Sequence, residues 1–227
     1  MKFSEFEAIM SSQRINRTMQ ACKGNTRKAM ILYRLNLKLS QEIFTVISCF
    51  EVALRNAINK HLCAIYGNDW LLNSAKGGGF FDNKKCKFTA GSINEAIFKL
   101  KQNYSHNKLV AELGFGFWRF MFAPHQFTAS GKNLLQIFPA KPSSTAFFQY
   151  NNTFVYNQLA QINELRNRIA HHEPICFQSG IPVKSTTEIR NIHELILQLF
   201  QWMSIDANSL VYGLDHIESI SNKIDSL

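Results

Sequence analysis

One run of this chain holds the residue types that could do chemistry: Glu164-Leu165-Arg166-Asn167-Arg168-Ile169-Ala170-His171-His172-Glu173-Pro174. A guanidinium grips a phosphate through two parallel hydrogen bonds. An imidazole takes or gives a proton near neutral pH. Together these groups can cleave RNA without a metal. One histidine takes the ribose 2′-OH proton, another protonates the leaving 5′-oxygen, and an arginine stabilises the charge growing on phosphorus. Arg166 can hold the phosphate, a histidine such as His171 can move the proton, and Asn167 can orient a group by hydrogen bonding. Arg168, His172 and Glu173 are candidates for support.

The spacing sets a difficulty. Pro174 biases Glu173 away from helical geometry, which predicts a helix over about 152–173 with both histidines in its last turn. There the negative end of the helix dipole favours an imidazolium. Arg166 and His171 are five apart, about 140° around an ideal helix. Arg168 and His172, four apart, share a face. A two-fold axis through the motif would resolve this, since each chain then contributes the same residues to one cleft. Spacing alone leaves two blander outcomes open, a solvated helix end and a salt-bridge cluster between two copies.

The elements that must position this run are helical by periodicity. The pattern predicts helices over 4–22, 26–66 with a break near Ser40, 92–103, 108–122, 152–173, 185–203 and 207–224. Ser92-Ile93-Asn94-Glu95 and Ser185-Thr186-Thr187-Glu188 read as capping boxes. Residues 73–91 read as a flexible basic loop. Residues 124–150, with Pro124, Pro139 and Pro142, read as an irregular insertion. The expectation is an all-α fold forming a single domain over 1–227.

Composition narrows the class. The chain carries a net charge of +9, split unevenly as +10 over residues 1–110 and −1 over the remainder. A basic half suits a polyanionic partner as well as a solvated surface. Nineteen Phe imply a bulky aromatic interior. No apolar run spans a bilayer and the N-terminus is no signal peptide, so the expectation is a cytoplasmic protein with no membrane role. The five cysteines are scattered, which argues against a zinc site or a disulfide framework. No metal or cofactor is expected.

Four segments carry a resemblance. Leu165 to Pro174, Phe50-Glu51-Val52-Ala53-Leu54-Arg55-Asn56-Ala57-Ile58, Leu113-Gly114-Phe115-Gly116-Phe117-Trp118 and Trp202-Met203-Ser204 resemble the signature of Abi-like abortive-infection proteins, within the HEPN superfamily. Ile205-Asp206 comes after the last of these where that family commonly has proline. The resemblance implies an all-α, HEPN-like helical bundle with additional helices and a Pro-containing loop insertion. It implies a homodimer with a composite site, metal-independent endoribonuclease activity on RNA, and a toxin's role in phage defence. Some relatives are restrained by an antitoxin, RNA or protein. Position by position, Arg166 and His171 match the catalytic pair, Asn167 the polar residue after the arginine, and His172 a frequent second histidine. A non-catalytic RNA-binding or regulatory module is the competing expectation.

Other residues carry weaker signals. Arg55-Asn56-Ala57-Ile58-Asn59-Lys60-His61 echoes the motif with one extra residue between Arg and His. Glu51 and Arg55 are spaced to pair along a helix face; the resemblance, which includes them, implies that they line or buttress the site. Lys84, Lys85 and Lys87 could contact phosphates without sequence preference. Phe115, Phe117, Trp118, Phe120 and Phe122 read as core rather than a base-stacking platform.

Overall fold

Apolar residues recur at helical spacing through most of the chain, and the computed structural model, which describes residues 1–227, is all-α. Its helices are α1 Phe3–Met10, α2 Ser12–Ala21, α3 Thr26–Tyr66, α4 Trp70–Ala75, α5 Lys87–Leu100, α6 His106–Glu112, α7 Phe115–Phe120, α8 Pro124–Ala129, α9 Asn152–Ala170, α10 Thr187–Trp202, α11 Ala207–Leu210 and α12 Ile217–Asp225. The only β contact is an isolated bridge between Phe177 and Lys184.

Contacts gather the chain into two units. The first comprises residues 1–48, 164–197 and 207–227; the second comprises 49–163 and 198–206. In the first, Asn36 anchors backbone beyond α9, and Arg190 of α10 pairs with Glu218 and Asp225 of α12. In the second, Phe50 packs its ring edgewise on Phe200 and tilted against Phe115, while Trp202 is ringed by Phe138, Tyr150 and Phe154. Most of the aromatic interior lies there.

Several expected boundaries shift, each for a local reason. α3 runs unbroken through Ser40, because Leu39, Ile43, Val46, Ile47, Phe50 and Leu54 form one continuous buried stripe. The first helix instead divides at Ser11, whose φ is 69° and whose hydroxyl accepts from the Arg14 amide. The 108–122 helix divides at Leu113–Gly114, where the Trp118 indole donates to the Leu113 carbonyl. The 207–224 helix divides around Gly213. Pro124 opens α8 rather than a loop, its fixed φ suiting the first helical position.

The 73–91 loop is largely ordered structure. Asn83 caps a 3-10 turn at Lys84–Cys86 that leads directly into α5, so Ser92 lies inside that helix and donates to the Phe88 carbonyl. The Ser92 capping box is therefore not formed. Gly79 is required here, since a Cβ would meet the Asn73 carbonyl oxygen at 2.3 Å. At the second expected box the helix begins at Thr187, and Glu188 turns away to Arg168.

Candidate active site

The motif lies at the C-terminal end of α9. Val155, Leu159, Ile162 and Leu165 are buried along one side of this helix. Arg166 continues the 159–162 spacing, so its stem is drawn inward. Its Nε is shielded from solvent and has no hydrogen-bond partner, and its guanidinium forms no ion pair. A buried donor left unmade costs about 1–3 kcal/mol.

The end of the helix departs from expectation. α9 stops at Ala170, not Glu173. The His172 amide donates to the Ile169 carbonyl at 2.9 Å and the Glu173 amide to the Arg168 carbonyl at 2.9 Å. That pair of bonds is the Schellman closure of a helix, with His172 in the left-handed position usually given to glycine, at φ 57°. His171 is thus the last residue of the helix end and His172 the first of the reversal.

Two distant residues hold this reversal. Arg14 of α2 donates through Nη1 to the His172 carbonyl at 3.1 Å. Asn36 of α3 accepts through Oδ1 from the Ile175 and Cys176 amides at 2.8 and 3.3 Å. Neither was legible in sequence, being 158 and 139 residues from its partner. Cys176 is buried, and burial pushes its thiol up to about 12, so it is no nucleophile.

The structure treats the two arginines of the motif differently. Arg168 pairs with Glu188 of α10 at 2.6 Å and with Glu173 at 3.8 Å. Arg166 has no such partner. Asn167, His171 and His172 are exposed, and none of their side chains makes a hydrogen bond. The free groups are therefore one arginine, one asparagine and two imidazoles, while Glu173 and Arg168 brace the turn. Hollows open on two sides of His172, about 570 and 340 Å³ in volume, and both are lined in part by Asn36 and Leu37.

With this geometry in place, comparison with known families is decisive. Residues 2–176 match the Abi-like protein family. The chain belongs to the Abi-like protein family. No curated protein and no solved structure matches it. The Abi-like span covers the α9 motif, the 50–58 segment and the 113–118 segment. Trp202-Met203-Ser204 falls outside it, although Ser204 ends α10 with the same left-handed closure as His172, at φ 59°.

The other expected site residues of this Abi-like chain lie in the second unit. Glu51 and Arg55 do not pair. Arg55 continues the stripe of buried Ile58 and Leu62, and its Nε is shielded and without a partner, like that of Arg166. In the echo motif, His61 meets Asn133 at 3.1 Å, and Asn59 Oδ1 accepts from the Trp70 indole at 2.8 Å and lies 2.7 Å from His106 Nε2. Burial lowers the His106 pKa, against the raising influence of Asp69. Lys84, Lys85 and Lys87 are exposed. Phe115, Trp118 and Phe122 are buried core, Phe117 is half-buried and Phe120 reaches solvent beneath the Arg119 guanidinium. No three His, Cys, Asp or Glu side chains converge as a metal site. No helix is long and apolar enough to cross a membrane.

Proposed function

We propose that this chain is a metal-independent endoribonuclease of the HEPN type, acting as a toxin in abortive infection. Membership in the Abi-like family suggests the abortive-infection role. The observation that carries the chemistry is the unpartnered Arg166 guanidinium, set in the same helix end as an exposed, unbonded His171. Arg166 holds the scissile phosphate and neutralises its developing charge. One His171 takes the 2′-OH proton and a second, from another protomer, protonates the 5′-oxygen. Asn167 orients the strand. A homodimer places two such helix ends about one cleft. An antitoxin, RNA or protein, would act by covering that cleft. Localisation in the cytoplasm follows from an RNA substrate.

The test is cutting of single-stranded RNA in excess chelator by the wild type, Arg166→Ala and His171→Ala. Wild-type cutting that both substitutions abolish supports the proposal. Intact RNA with the wild type, bound in a salt-dependent way, makes the chain a non-catalytic RNA-binding module instead. Mixing wild type with excess His171→Ala then tests the shared cleft. A site that needs a His171 from each chain loses cutting out of proportion to the wild-type share, because hybrid dimers are inactive; a site built within one chain keeps cutting in proportion to it.

A further inference from the structure

The larger hollow beside His172 has a chemistry of its own. It measures about 570 Å³, within the roughly 300–1,000 Å³ range of small-molecule sites. Its apolar wall includes Leu32, Met10 and Phe177, and no carboxylate lines it. Two of its polar side chains are buried, Thr18 at 4% and Asn36 at 8% exposure. The Asn36 amide is oriented by its neighbours: Oδ1 is occupied by two backbone N–H donors, so the NH₂ group must face away from them. That NH₂ group makes no hydrogen bond and is not among the fully shielded unpartnered atoms, so it is reachable from the hollows that Asn36 lines, of which this is the larger. At the mouth, Arg14 is exposed and spends one Nη1 contact on the His172 carbonyl, leaving other N–H groups free. Arg17, by contrast, spends Nε and Nη2 on the Gln178 and Ile181 carbonyls, and its guanidinium lies 4.7 Å from the Phe177 ring centre.

We propose that this hollow holds an unpaired, carbonyl-bearing nucleobase of the RNA strand, next to the phosphate gripped at the α9 end. The occupant must present an acceptor to Asn36 Nδ2, a flat apolar body to the accessible lining residues Met10, Tyr33 and Leu37, and negative charge to Arg14. Uracil and guanine carry an exocyclic carbonyl and adenine carries none. A phosphate attached to the base supplies the charge. His172 belongs both to the pocket lining and to the motif turn, so a base seated here is continuous with a strand lying across His171. The inference rests on the nuclease reading above and extends it to sequence preference.

The test uses full-length His171→Ala protein, which leaves RNA intact, titrated with labelled oligo-U and oligo-A and separately with UMP and AMP. Oligo-U is expected to bind about tenfold more tightly than oligo-A, as one well-placed hydrogen bond allows. Asn36→Asp keeps the acceptor for the two backbone amides and replaces the inward donor with an oxygen; it should erase that preference. Leu37→Trp, a change at a half-exposed lining residue, should block the pocket without touching Asn36. Equal binding of both oligomers by folded protein, or a preference unmoved by either change, overturns the proposal. Saturable UMP binding that oligo-U does not displace also overturns it, assigning the pocket to a free nucleotide. The two readings fail separately. Wild-type cutting indifferent to base and to both changes removes the pocket and keeps the nuclease. Asn36-dependent oligo-U binding by a wild type that never cuts removes the nuclease and keeps the pocket.

Discussion

In α3, Arg55-Asn56 leads to His61; in α9, Arg166-Asn167 leads to His171. Both arginines continue a buried stripe and both hide an Nε with no partner. The two runs differ in the fate of their other polar side chains. The α3 copy sits inside a 41-residue helix, and its polar groups are spent on structure: His61 on Asn133, Asn59 on Trp70 and His106. The α9 copy sits where a helix ends, and its Asn167 and His171 side chains make no hydrogen bond, while Arg168 between them is paired. Residue types alone therefore do not separate a site from scaffold. The difference is whether the backbone beyond the arginine reverses and releases the histidine to solvent.

The largest expected effect sharpens this contrast. His171→Ala or Arg166→Ala should lower RNA cutting by about a thousandfold, as loss of a proton-transfer or charge-stabilising group does. His61→Ala should change it less than about threefold, a minor effect by comparison. Equal losses in one cleavage assay would break the comparison. Next is Asn59→Ala, which strands the Trp70 and His106 donors and should cost about 2–4 kcal/mol in urea unfolding, two buried donors at the usual penalty. Asn167→Ala, at an exposed position with no bond to lose, should stay within about 0.5 kcal/mol in the same experiment.

Smaller effects separate members of the α9 run from one another. Arg168→Ala loses partly exposed ion pairs and should cost about 0.5–1 kcal/mol. Its cutting should fall far less than that of Arg166→Ala. His172→Gly removes a side chain from a left-handed position and should raise stability by about 1 kcal/mol, visible as a higher melting temperature. The smallest effect is a pH dependence in the scaffold. Folding lowers the His106 pKa below its ordinary 6.5, so the native state binds fewer protons there. The stability it supports is present above 6.5 and declines as pH falls from there toward the depressed value. Comparing urea midpoints of the wild type and His106→Gln at neutral and mildly acidic pH isolates it.

Much of this was legible in the sequence, and the physical reasons for the rest are specific. Helical periodicity gave the all-α class and the start and end of α3, because Gly24 and Gly67 adopt the left-handed conformations that stop a helix. Periodicity misjudged interruptions. Ser40 lies on a helix whose buried stripe is continuous, whereas Ser11 and Gly114 mark breaks within patterns that look regular. Pro174 pointed to a helix end, but the end comes earlier through hydrogen bonds closing on His172. The preference for Arg166 over Arg168 came first from resemblance. The 159–162–166 spacing was a local signal that Arg166 turns inward, and the partners of Arg168 account for its different use. Arg14 and Asn36 had no local signal, since each acts on backbone that is close only after folding.

The three-segment make-up of the first unit bears on when the motif is completed during synthesis. The helix end that carries Arg166 and His171 belongs to a unit drawn from residues 1–48, 164–197 and 207–227. Its Arg168 is braced by Glu188, and α10 is in turn tied to α12 through Arg190. These braces lie beyond the Abi-like span, which ends at Cys176. A nascent chain that has displayed the whole family region still lacks them. Ribosomal synthesis therefore supplies Glu188, Glu218 and Asp225, the partners that tie this helix end and α10 in place, only after the whole family region has emerged.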